Sequence, residues 1–170
     1  ARTPPQALDA ERALLGAVML KPDAIHEVSD VVTSDSFYAE KHRAIYRAFI
    51  ALAAASSPID LLSVATYLKE HSELERSGGN AYLAELVSSV PTSANSKYYA
   101  QIVQKKAMMR GIIDAATDVA EIGYDESRDI EEIVDAAEKR MGEATVNPSM
   151  RKFSSIRDEL KEAWERFEML

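Results

Sequence analysis

Residues 96–123 contain no proline, and apolar side chains recur through them at Tyr99, Ile102, Val103, Met109, Ile112, Ile113, Ala116, Val119 and Ala120. That three-and-four spacing predicts one long helix of roughly 40 Å. Gly123 and the polar stretch Asp125 to Asp129 then turn the chain, and Asp129 opens a second helix carrying Ile130, Ile133, Val134, Ala137 and Met141 at the same period. A helical hairpin over residues 96–145 follows. Two helices with so little mass around them cannot hide both apolar faces. The stripe Ile112, Ile113, Ala116, Val119, Ile130, Ile133, Val134, Ala137 and Met141 is therefore expected to bury itself against a second copy, with folding back onto the chain's own globule as the alternative.

The preceding residues read as a compact helical head over 1–95. Leu8, Leu15 and Met19 accompany a helix over Asp9 to Leu20, Lys21-Pro22-Asp23 breaks it, and a second helix bears Ile25, Val28 and Val32. Ala39 to Ala55 forms the next, with Ile45, Ala48, Phe49 and Leu52 on one face. Pro58 ends that run, and Asp60 is placed to accept from the first amides of a helix presenting Leu61, Val64, Tyr67 and Leu68. Gly78-Gly79-Asn80 is turn chemistry before a short helix with Tyr82, Leu83, Leu86 and Val87. No segment sustains the alternation of a strand, so the fold class is all-α.

After the hairpin, Asn147-Pro148-Ser149 predicts a tether over residues 146–153. Ser155 and Asp158 then make a capping box for a helix over 154–170. Its apolar side carries Phe153, Ile156, Leu160, Trp164 and Phe167. A lone helix of about 15 residues is marginal in water, so this stripe needs a surface to dock on, whether another protein or residues 1–145.

Composition narrows the function classes. The chain has no cysteine, and its three histidines (His26, His42, His71) are scattered, which argues against disulfides and against a structural metal. The longest apolar run, Ala48 to Ala55, is far short of the ~20 residues that span a bilayer, and no charged-then-apolar leader opens the chain. A cytoplasmic, membrane-free protein is expected. The net charge of −8 resides in residues 1–145, because residues 146–170 balance five basic against five acidic side chains. An acidic domain is repelled by phosphate backbones, so little direct nucleic-acid binding is expected, the basic spots at Lys105, Lys106, Arg110, Lys139 and Arg140 reading as solvated helix faces. A phosphate loop is absent: Gly78-Gly79 leads into Asn80-Ala81-Tyr82, not into a lysine.

Short signatures recur in a fixed order. Pro4-Pro5-Gln6 comes first, then Ala10-Glu11 with Leu14-Leu15-Gly16-Ala17, Asp35 with Phe37-Tyr38, and His42 with Ile45-Tyr46. Pro58-Ile59-Asp60, Gly78-Gly79 with Tyr82-Leu83, Val90-Pro91-Thr92 with Ala94-Asn95, and Tyr98-Tyr99-Ala100 with Ile102-Val103 complete the series. In this order it resembles the N-terminal domain of the bacterial hexameric replicative DNA helicase (DnaB-type), from Pro4 to about Thr145. The resemblance implies a non-catalytic assembly and docking domain. Pairs of such domains pack through the hairpin and three pairs form a collar, primase attaches there, and a helicase loader is a further partner. Candidate partner contacts are Tyr82, Ile113 and Val119, with plain core packing as the alternative for each, and the resemblance makes the last helix the start of the linker that docks on a neighbouring subunit's motor. No cofactor is implied for this chain. ATP and Mg belong to the motor, which by the same resemblance drives unwinding at the replication fork. Gly111, inside the long helix just after Arg110, signals a local bend, a close helix crossing or plain tolerance.

Two rivals come from other classes. A helix-turn-helix DNA-binding regulator would use Asp60 to His71 and Asn80 to Val87, yet its second helix offers Glu85 and little that reads bases. A helical enzyme would need convergent polar groups. Glu131-Glu132 and Glu73 with Glu75 read as solvated carboxylates, Glu11 as a tie between helices, and His42 as a buried structural histidine.

Overall fold

The computed structural model describes residues 2–91, 95–146 and 148–169, without the side chains of residues 148–155. Thr92, Ala94, Asn147 and the side chains of Phe153 and Ser155, all used in the sequence reading, lie outside the described residues. Among those described there are eight α-helices and no strand. They are α1 (Leu8–Leu20), α2 (Ile25–Val28), α3 (Glu40–Ala54), α4 (Leu61–Glu70), α5 (Gly79–Ser88), α6 (Ser96–Gly123), α7 (Ile130–Thr145) and α8 (Pro148–Glu168).

The chain forms two compact units, residues 1–110 and 111–170. In the first, α1 packs on α5 and α3, α3 on α4, and α4 on α5. Leu14, Leu15, Val18, Phe37, Tyr46, Phe49, Leu68 and Leu83 are among the side chains that fill the core between them. Gly16 sets the α1–α5 distance: a methyl group there would come 2.1 Å from the Leu86 carbonyl oxygen and 2.2 Å from Val90 Cγ2. Asp60 caps α4, its carboxylate accepting from the Ser63 amide at 2.8 Å, and that bond holds its pKa below the ordinary value. Gly78, at φ +95°, takes the left-handed turn before α5.

Three boundaries differ from the sequence reading. The helix expected to carry Ile25, Val28 and Val32 closes after Val28, and a 3-10 turn over Ser34–Ser36 follows, Val32 being buried outside any helix. The head does not stop at residue 95. The first half of α6 belongs to it, with Ala100 and Val103 in its core and Arg110 donating to the carbonyls of Pro5 and Ser36, both at 2.8 Å. Local periodicity cannot register such a join, because its partners are up to 105 positions away. At the other end, α8 begins at Pro148, so the expected tether shrinks and Ser155 sits inside a helix rather than at its cap. Proline lacks an N–H that the first helical position does not need, and its fixed φ suits that position; Pro148 starts the helix instead of blocking it.

Candidate assembly and docking surfaces

A buried polar chain links three helices of the first unit. Glu11, on α1, points its carboxylate at the start of α3, where Oε2 accepts from the Tyr38 amide at 2.9 Å and Oε1 from the Ala39 amide at 3.3 Å. His42 Nδ1 lies 2.9 Å from the same Oε1, and Nε2 lies 2.6 Å from the Tyr82 hydroxyl on α5. A carboxylate only accepts, so Nδ1 carries the hydrogen, and in the neutral ring Nε2 accepts from the phenol. Glu11 and His42 are each 1% exposed, hence a structural tie of the kind their positions suggested. Tyr82 is half-buried, stacks on the His42 ring and carries Lys41 Nζ 3.9 Å above its own. Burial raises its pKa; the carboxylates of Glu85 and Glu11 act the same way, and the Arg12 guanidinium opposes them. The candidate partner residue of this unit is therefore held from behind.

The second unit divides its apolar side chains into two sets. Arg140 on α7 donates to Asp118 on α6 at 2.7 Å, tying the hairpin, and Ala115 is fully buried. Val119, Ile133, Ala137 and Met141 are partly buried. Ile112, Ile113, Ala116, Ile130 and Val134 face outward, Ile130 being 66% exposed. The stripe expected as one interface is thus two, a seam within the unit and an open face. Ala115 was absent from the sequence-derived stripe, which took the adjacent and exposed Ala116 instead, because two neighbouring alanines do not reveal which of them faces the seam. Its position, four before Val119 and three after Ile112, was the available clue. Along α8, Ile156, Leu160, Trp164 and Phe167 are all exposed, Phe167 at 70%. Trp164 Nε1 donates to Glu168 at 3.0 Å, and its ring lies 6.1 Å from that of Phe167.

The helix-turn-helix rival finds no support in α5. The would-be recognition helix α5 buries Leu83 and Leu86 and is clamped to α1 at Gly16, and the side chains it leaves exposed, Asn80, Ala81, Ala84, Glu85 and Ser88, carry no positive charge toward a phosphate backbone. Among the described residues, no three His, Asp or Glu side chains converge as a metal site would require.

The family described as DnaB-like helicase N terminal domain matches residues 3–105. The chain belongs to that family. Relatives of this DnaB-like domain include the replicative DNA helicase DnaC of Bacillus subtilis (strain 168), 38% identical over 99% of this chain and 37% of its own length. DnaB of Geobacillus stearothermophilus is 37% identical over the same shares. DnaB of Mycobacterium leprae (strain TN) is 42% identical over 81% of this chain and 23% of its own length. The chain therefore spans between 23% and 37% of the length of these relatives. The crystal structure of the N-terminal domain of DnaB helicase from Mycobacterium tuberculosis superposes with a TM-score of 0.79 at 39% identity, covering 83% of this chain and 99% of that one. A DnaB-like replicative helicase, whose structure was described with its interactions with primase, shares the fold at TM-score 0.69 and 24% identity, over 91% of this chain and 35% of the other. Among the described residues no helix is long and apolar enough to cross a membrane.

Proposed function

We propose that this DnaB-like domain is the non-catalytic assembly and docking part of a replicative DNA helicase. The observation that carries the reading is the open apolar face of the hairpin, Ile112, Ile113, Ala116, Ile130 and Val134, in a chain of this family. That face pairs with a second copy, and the pairs assemble into the collar of a hexamer. Val119, Ile133, Ala137 and Met141 support the same hairpin from its seam. Tyr82 on the first unit, and Ile113 and Val119 on the second, are contacts for primase, and a helicase loader is a further partner. The exposed stripe Ile156, Leu160, Trp164 and Phe167 docks the linker helix on the motor of a neighbouring subunit. ATP and Mg serve that motor, which unwinds duplex DNA in the cytoplasm; the acidic domain itself contributes little DNA contact.

Sedimentation of the chain and two variants tests the pairing. Wild type should associate with concentration, whereas Val134→Asp should stay monomeric with its helical content intact, because a carboxylate in a dry interface is costly. Ile133→Asp, aimed at the seam, should loosen the hairpin itself. A wild-type chain that remains monomeric at every accessible concentration would refute the reading.

A further inference from the structure

Tyr82 is fastened at its root, its tip and its ring face, all within the first unit. At the root, the turn before α5 closes against it: a Cβ on Gly78 would come 2.5 Å from Tyr82 Cβ and 2.7 Å from Cγ. At the tip, the hydroxyl lies 2.6 Å from His42 Nε2. Over the ring stands Lys41 Nζ, 3.9 Å from the centroid. The bond at the tip is decided on α1. There the Glu11 carboxylate accepts from His42 Nδ1–H at 2.9 Å, which leaves Nε2 as the acceptor for the phenol. Glu11 is in turn held by the Tyr38 and Ala39 amides, so the imidazole that the phenol meets is itself fixed in place.

We propose that His42, set by Glu11, is a positioning residue for partner recognition: it holds the Tyr82 ring ready for an apolar side chain of primase. This rests on the reading of Tyr82 as a primase contact. The hydroxyl already donates inward, so Tyr82 has no hydrogen to offer a partner, and the half-buried ring is what a partner meets. Tyrosine suits that role, because it supplies a large contact area on two rotatable bonds. Fixing a mobile side chain on binding costs affinity, and a ring fixed beforehand does not incur that cost again. Glu11 and His42, each 1% exposed, touch no partner themselves and act through Tyr82.

The test has one arm without primase and one with it. In NMR of the free chain, vicinal couplings should show a single χ1 rotamer for Tyr82, with Tyr124, 86% exposed, as the reference for an untethered ring. His42→Asn keeps an N–H for Glu11 where Nδ1 stood and removes Nε2, so it should set the Tyr82 ring averaging. His42→Gln does the opposite, since its carboxamide reaches the phenol and lets Glu11 go, and the ring should stay fixed. Titration with purified primase should then show His42→Asn and Tyr82→Phe each weakening binding about two- to tenfold, the cost of ordering one side chain. The double variant should be no weaker than either, because both substitutions cut the same bond, and His42→Gln should bind as wild type does. Tyr82→Phe cuts that bond from the exposed side and covers the case in which His42→Asn does not fold. Additive losses in the double variant would mean that the hydroxyl touches primase directly and would overturn the positioning role. So would a Tyr82 ring that averages in the wild-type chain, or Asn and Phe variants that bind as wild type does while Tyr82→Ala binds more weakly. Primase binding that Tyr82→Ala leaves unchanged refutes the contact itself, and the proposal with it, even where the ring is fixed.

Discussion

Residues 1–110 and residues 111–170 solve opposite problems. The first unit takes polar groups inside and, Ser77 Oγ apart, satisfies them: Glu11 alone accepts from two amides and His42, and Ser36 Oγ donates to Gln104 at 2.8 Å. Its apolar cluster runs from Leu14 to Val103 and is closed by the chain's own helices. In the second unit Ala115 is fully buried, yet Ile112, Ile113, Ile130, Val134, Leu160, Trp164 and Phe167 are all exposed. The first unit carries its stability within itself, while the second leaves exposed the apolar area that the proposed association would remove from water, at about 25 cal/mol per Å2. One chain therefore holds a finished core and an unfinished one.

The comparison breaks most visibly at Glu11. Glu11→Ala strands two amides and His42 in the interior, and urea denaturation should show a loss of about 3–5 kcal/mol; a loss below about 1 kcal/mol would mean that the buried chain contributes little net stability. Gly16→Ala comes next, forcing a methyl group into the Leu86 carbonyl, and should cost about 1–3 kcal/mol by overpacking. Alkaline pH probes the same core. Tyr46 is buried with its hydroxyl donating to the Val32 carbonyl at 3.1 Å, and burial pushes its pKa well above the ordinary tyrosine value. The folded state then keeps a proton that the unfolded chain releases. Stability should be intact below about pH 10 and fall above it as pH climbs toward the folded value, by up to about 1.4 kcal/mol per pH unit for this one group. Tyr46→Phe should flatten that slope in chemical denaturation followed from pH 9 to 11, with the more solvated Tyr82 leaving a smaller remainder.

The second unit should respond in the other direction. A Cβ at Gly111 meets nothing within 4 Å and the helix runs through it, so Gly111→Ala should raise stability by up to about 1 kcal/mol. If association falls while the monomer gains stability, the close-crossing reading of this glycine is the correct one; if association is unchanged, the residue is merely tolerated. The smallest effect on folding belongs to Val134→Asp, which should alter monomer stability by no more than about 0.5 kcal/mol, as a solvent-facing change does. Thermal melts in dilute solution would check it, and a larger loss would move Val134 into the seam.

The periodicity of residues 96–141 disclosed α6 and α7 because a helix writes its facing into the sequence every three or four positions. Asp60 was legible as a cap for the same local reason, and Glu11 and His42 were legible as structural ties. What the sequence could not disclose was long-range or subtle. The extension of the head into α6 depends on Arg110 finding Pro5, and the split of the hairpin stripe depends on which side of each helix its neighbour occupies. Pro148 misled because proline both ends and begins helices. Ser77 carries no pattern at all; only burial without a partner singles it out.

The bonds from Arg110 to Pro5 and Ser36 have a consequence in time. The head's first segment is fastened by a residue made more than a hundred peptide bonds later, so during synthesis at about 5–20 residues per second the N-terminal helices wait roughly 5–20 s for their clasp. A nascent chain halted before Arg110 has every side chain of the head's core but lacks these two bonds. Its early helices stay open to chaperones and proteases until the first half of α6 arrives, and the head matures as the hairpin begins to be made.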